Sequence, residues 1–132
     1  MPIKLSWLLK GRVIIHDVMG DITMEDFVTI DLPLNKMLGD ADPAPVHVIV
    51  LTERAGKVPM TITAFTQARW VRHPNPGWTV VSGLKNPMLR TIVGTASRAF
   101  RMKQRFVETP TEAMNCLKTI DTSLPTGLSI KT

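Results

Sequence analysis

With 132 residues, 44% of them hydrophobic and 20% charged, the chain has the length of one domain and can bury a core without metal or disulfide staples. No apolar run approaches the ~18 to 20 residues that span a bilayer, and a single cysteine, Cys116, excludes an internal disulfide and a thiolate zinc cluster. The net charge of +5 is unevenly placed: residues 1–53 carry four basic and eight acidic side chains, whereas residues 54–107 carry ten basic and none acidic. Such a chain either scatters its cations over solvated faces or presents a basic surface to an anionic partner or to the acidic surface of a second copy.

The first element is a pair of apolar stretches, Ile3 to Leu9 and Val13 to Met19, joined by Lys10-Gly11-Arg12, a short glycine-centred link that suits a hairpin. This N-terminus lacks a small-residue cleavage site, so export is not expected and a reducing, cytoplasmic setting fits. Thr23, with Asp26 three residues on and Ile22 and Phe27 spaced as a hydrophobic staple, marks a helix start. Phe27, Ile30, Leu34, Met37 and Leu38 recur at helical spacing up to Gly39, and Pro33 predicts a kink or a break into two short helices. "PVHVIVL" is nearly continuous in apolar residues, the signature of an inner strand covered on both faces, and it ends in a loop, "TERAGK".

Beyond that loop, "MTITAFTQARWVRHP" predicts a helix closed by His73-Pro74, and Trp78 to Val81 another inner strand. Asn86 caps a further helix with Pro87 at its first position and Leu89, Ile92, Val93, Ala96 and Phe100 as its buried stripe; Arg90, Arg98 and Arg101 make its other side basic. "KQRFVET" predicts a last short strand, and Thr109-Pro110-Thr111-Glu112 a capping box for a helix bearing Ala113, Met114, Leu117 and Ile120. The order is β-β-α-β-α-β-α-β-α, a single α/β domain over residues 1–121 with a mixed sheet of about five strands, and residues 122–132 form a loose tail.

This order, together with "GRVIIHDVMGDITMEDF", "PVHVIVL", "RHPNPGWTVVSG" and "NPMLRTIVGTASRAF", resembles the SpoIIAA-like fold of the STAS domains and, more distantly, of CRAL-TRIO lipid-exchange domains; it is most similar to small stand-alone bacterial STAS-like proteins. The resemblance implies a binding module without catalysis of its own. In the anti-sigma-factor antagonists of that family an aspartate closes the third strand and precedes a phosphorylatable Ser or Thr. The matching place here reads Leu51-Thr52-Glu53-Arg54, with Leu51 where the acid stands and a longer connection through Gly56, Lys57 and Pro59, so the phospho-switch is not expected.

No nucleophile, base and orienting group fall together in the sequence. His16 and Asp17 are strand neighbours and point to opposite faces; His47 and His73 read as structural residues, and Cys116 as a small packing residue. No nucleotide-binding or zinc-hydrolase motif is present, and no cofactor, metal or catalytic residue is expected. Nucleic acid is not the expected partner, because the arginines and Trp70 and Trp78 match no recognised reader. The expected function is association with a protein partner or with itself, a dimer being favoured, through Thr52, Glu53, Arg54 and Lys57 together with Arg90, Arg98 and Arg101. The alternative is a small-ligand or lipid carrier, suggested by the same fold and by eight methionines that adapt to irregular pockets.

Overall fold

The two apolar stretches at the N-terminus pair as an antiparallel hairpin of β1 (Ile3–Leu9) and β2 (Val13–Gly20). Gly11 supplies the positive φ of 77° at the turn, and the Arg12 N–H closes it by donating to the Leu9 carbonyl at 2.9 Å. The computed structural model describes residues 3–39, 46–57, 76–99 and 103–130. The helix expected within residues 60–74 lies outside the described residues, as do Arg69, Trp70, Arg72, His73 and Arg101.

Helix α1 (Met24–Gly39) begins at a reciprocal capping box: the Asp26 N–H donates to Thr23 Oγ1 at 3.2 Å, and the Thr23 N–H to Asp26 Oδ2 at 2.8 Å. Of the kink or break expected at Pro33, the break does not occur: α1 runs unbroken through it. Pro33 and Thr29, whose carbonyl loses its helical partner, are both exposed, so water can take the freed acceptor. The remaining elements are β3 (Val46–Ala55), β4 (Pro76–Ser82), α2 (Pro87–Ala99), β5 (Gln104–Val107) and α3 (Pro110–Ile120). Asn86 Oδ1 caps α2 by accepting from the Met88 N–H at 2.9 Å, and Thr109 Oγ1 caps α3 by accepting from the Glu112 N–H at 3.1 Å.

The strands lie in the order β1-β2-β3-β4-β5, with every pair after the hairpin parallel. Alternation along β2 and β3 divides the core in two. Ile14, Val46 and Val48 pack under Leu34 and Leu38 of α1, whereas Val13, Ile15, Ile49, Leu51 and Val80 meet Ala113, Met114 and Leu117 of α3 on the opposite face. Helix α2 shares the α1 face, since its Arg90 covers Phe106, the β5 neighbour of Val81, which in turn neighbours Val50. Ile14, Leu34, Ile49 and Leu117 are entirely buried, and each such side chain contributes about 1.5–3 kcal/mol of transfer free energy.

Two histidines are buried in these layers with opposite consequences. His16, between Leu5 of β1 and Val50 of β3, has no hydrogen-bond partner on either ring nitrogen. His47 is fully engaged: the Trp78 N–H donates to Nδ1 at 2.9 Å, so Nε2 carries the proton and donates to Asp121 Oδ2 at 2.8 Å. Asp121 caps the C-terminus of α3 and also accepts from Arg12 at 2.9 Å, so one carboxylate ties the β1–β2 turn, the start of β3 and the end of α3 together.

Part of the segment expected as a loose tail packs on the sheet. Leu124 is 4% exposed and belongs to the α3-side core, with Leu128 and Ile130 packed against it. Lys118 Nζ donates to the Thr126 carbonyl at 2.7 Å and anchors the return. Its apolar residues, at 124, 128 and 130, follow neither helical nor strand period, because they dock one by one onto a sheet face already shaped by α3.

Candidate functional site: a groove beside the end of β3

On the sheet face shared with α3, a solvent-open groove of about 850 Å³ lies between β1, the carboxyl halves of β2 and β3, the start of α3 and residues 127–130. Ile15 and Leu51 form an apolar floor, and Leu8, Leu128 and Ile130 line the sides. Its polar groups come from Lys4, Ser6, Asp17, Ser129 and two consecutive residues of β3, Glu53 and Arg54.

Neighbours in a regular strand point to opposite faces, so a local irregularity is needed to bring Glu53 and Arg54 together. The register supplies it: Asp17 pairs with Leu51 but Met19 with Arg54, so β3 spends three residues where β2 spends two. This bulge at Thr52–Glu53 turns both side chains to the groove. Arg54 then reaches Asp17, its Nη2 standing 2.7 Å from Oδ2. Glu53 accepts a short hydrogen bond from the hydroxyl of Ser82, a residue with no exposed surface. Thr52 Oγ1 donates to the Ser82 carbonyl at 2.7 Å, so its hydroxyl cross-links β3 to β4.

The segment expected as a loop is therefore strand as far as Ala55. Its last residues are stapled to the β2–α1 junction: the Gly56 N–H donates to the Gly20 carbonyl at 2.7 Å, the Lys57 N–H to Asp21 Oδ1 at 2.8 Å, and the Ile22 N–H to the Lys57 carbonyl at 2.8 Å. Lys57 takes part through its backbone. These turn contacts account for "AGK", and Glu53 and Arg54 remain as the groove-facing members of the expected set.

Gly83 makes room for Glu53. It has φ +79°, and a Cβ there would stand 2.6 Å from Glu53 Oε2. Replacing Gly83 with Ala is expected to cost at least ~1–2 kcal/mol from the left-handed backbone alone, with the displaced carboxylate adding to it; a urea unfolding curve measures the loss.

The basic helix is not continuous with this groove. Arg90 Nε donates to the Leu84 carbonyl at 2.6 Å, and its guanidinium lies 5.1 Å from the centre of the Phe106 ring, so it buttresses the α1-side layer. Arg98 is exposed eight residues further on, about 12 Å along the helix axis. Arg101 lies outside the described residues. Trp78 is half-buried against the α3-side core with the Arg105 guanidinium 5.3 Å from its ring centre, so that face is already capped.

Sequence reasoning overlooked a second stripe on α1. Ile30, Leu34 and Leu38 are buried, yet Met24, Val28 and Leu32 repeat the same i, i+4, i+8 spacing about 200° around the helix, with exposures of 41%, 72% and 62%. A surface helix needs one apolar stripe, and α1 carries two. The spacing was visible in "MEDFVTIDL", but the better-capped stripe accounted for the helix by itself.

Among the described residues, no group of three or more His, Cys, Asp or Glu side chains is placed to hold a metal ion, and no helix is long and apolar enough to cross a membrane. The sequence matches no family model and no curated protein.

Proposed function

We propose that this protein is a non-catalytic binding module of SpoIIAA-like (STAS-like) architecture that acts by protein association, with its own second copy as the first partner. The carrying observation is the exposed stripe of Met24, Val28 and Leu32, apolar surface that stands outside the core of the described residues. The architecture is supported by a hairpin followed by parallel crossovers in unreversed strand order, with the last helix on the opposite face.

Charge supports self-association. Helix α1 bears Glu25, Asp26 and Asp31 against Lys36, whereas α2 has no acid, carries an exposed Arg98 besides the Arg90 that covers Phe106, and exposes Met88 at 70%. Acidic α1 of one copy facing basic α2 of another is a complementary pairing, which a two-fold axis satisfies twice. Sedimentation velocity at micromolar concentration is expected to show a dimer that weakens in about 0.5 M NaCl, where charges are screened beyond a few ångströms. The double substitution Val28→Lys and Leu32→Lys is expected to yield a monomer with little change in melting temperature. A wild-type monomer at low salt that also retains no protein partner refutes the reading.

A second reading, a small-ligand carrier, is favoured by the groove beside Glu53, which lies on the face opposite α1.

A further inference from the structure

We propose that the groove is a binding site for a small organic cation: a ligand with an apolar body and one ammonium group that pairs with Glu53. The volume, about 850 Å³, lies in the range of sites that enclose a small molecule, roughly 300–1,000 Å³. Its floor of Ile15 and Leu51 and its flanks of Leu128 and Ile130 take hydrocarbon. What selects the charge is the state of the polar groups around that floor.

Among the described residues, the two cations that line the groove both stand at Asp17. Arg54 is in contact with it at 2.7 Å, and Lys4 is its cross-strand neighbour in the β1–β2 register. Glu53 has no cationic partner among the described residues. Its Oε2 is occupied by the Ser82 hydroxyl, and its other oxygen has no protein donor among them. The exposed carboxylate is also oriented by the hydroxyl of the fully buried Ser82, and Gly83 leaves it room. A positioned carboxylate with no cationic partner among the described residues, set beside apolar surface, needs little reorganisation to accept an ammonium, and hydrogen bonds between charged groups are the strong ones. The alkyl chain gains by covering the half-buried Leu8, Leu128 and Ile130, with the buried Leu51 beneath them.

The test compares three probes of equal length below their micellar concentrations, decylammonium, decanol and decanoate, by isothermal calorimetry or by chemical-shift titration. Decylammonium is expected to bind at least about tenfold more tightly than decanol, and decanoate more weakly than either. Glu53→Gln keeps an acceptor for Ser82 and removes the charge; it is expected to bring decylammonium down to the affinity of decanol while leaving decanol unchanged. Three results overturn the proposal: decanoate binding as tightly as decylammonium, Glu53→Gln leaving decylammonium unaffected, or Glu53→Gln abolishing decanol binding as well, which makes Glu53 a structural residue only. Failure of all three probes to bind at millimolar concentration overturns it too. The site faces away from α1, so the same titrations in the Val28→Lys, Leu32→Lys protein separate its outcome from that of self-association.

Discussion

Between pH 7 and pH 4 the protein is expected to lose about 3 kcal/mol of folding stability through one side chain, His16. The ring is buried between Leu5 and Val50, both nitrogens lack partners, and desolvation pushes its pKa from 6.5 down to about 4. Below pH 6.5 the unfolded chain takes up a proton that the folded chain refuses. The contribution of a neutral His16 is therefore complete above about pH 6.5, falls as the pH drops toward 4, and declines no further below that. Urea denaturation midpoints at constant m-value, taken at half-unit intervals from pH 7 to 4, measure the slope. His16→Leu is expected to flatten it and to gain about 1 kcal/mol or more at pH 7, because two unsatisfied polar atoms leave the core. Parallel pH slopes in the wild-type and His16→Leu proteins refute the assignment.

Asp121→Ala is expected to cost about 2–3 kcal/mol at neutral pH, through the loss of a shared acceptor. One oxygen receives Arg12 at 2.9 Å and His47 at 2.8 Å; the other receives the Ser123 N–H at 3.0 Å and its hydroxyl at 2.5 Å. The side chain is 21% exposed, which places the expectation below that of a fully buried pair, but His47 is 4% exposed and its Nε2–H is left without an acceptor. Because Trp78 already donates to Nδ1, the ring cannot relieve this by changing tautomer without stranding the Trp78 amide. The hydrogen bond from His47, aided by those from Ser123, holds the Asp121 carboxyl far below its ordinary 3.8. Its stabilisation is therefore present above about pH 3.8 and is lost as the pH falls below it, a window separate from that of His16. Asp121→Asn, which keeps one acceptor, is expected to fall between wild type and Asp121→Ala. A loss of less than about 0.5 kcal/mol in Asp121→Ala, the range of ordinary surface changes, refutes the clasp.

The parts of the fold that were legible are those governed by nearby residues. The capping box at Thr23, the Thr109 cap with Glu112 accepting from the Glu108 N–H, the Asn86-Pro87 start and the glycine link at Gly11 all act within four residues. The opposite orientation of His16 and Asp17 follows from strand geometry alone: one is buried under α1, the other faces the groove. Two features depend on surroundings that no local pattern describes. Pro33 carries a local penalty that two exposed positions allow water to offset, and Leu124 becomes core only because α3 and β4 bring its contact surface into place.

By itself, then, the sequence determined the identity and order of the described elements and the buried stripe of α1, because helical and strand periods and end-capping are written in residues close along the chain. Only the tertiary structure decided the candidate site. The bulge that turns both Glu53 and Arg54 into the groove exists in the register between β2 and β3, and the Ser82–Gly83 cradle of Glu53 arrives from a strand some thirty residues away. Arg90, expected on the basic face, also meets Leu84 and Phe106 through the way α2 lies on the sheet rather than through its helical spacing.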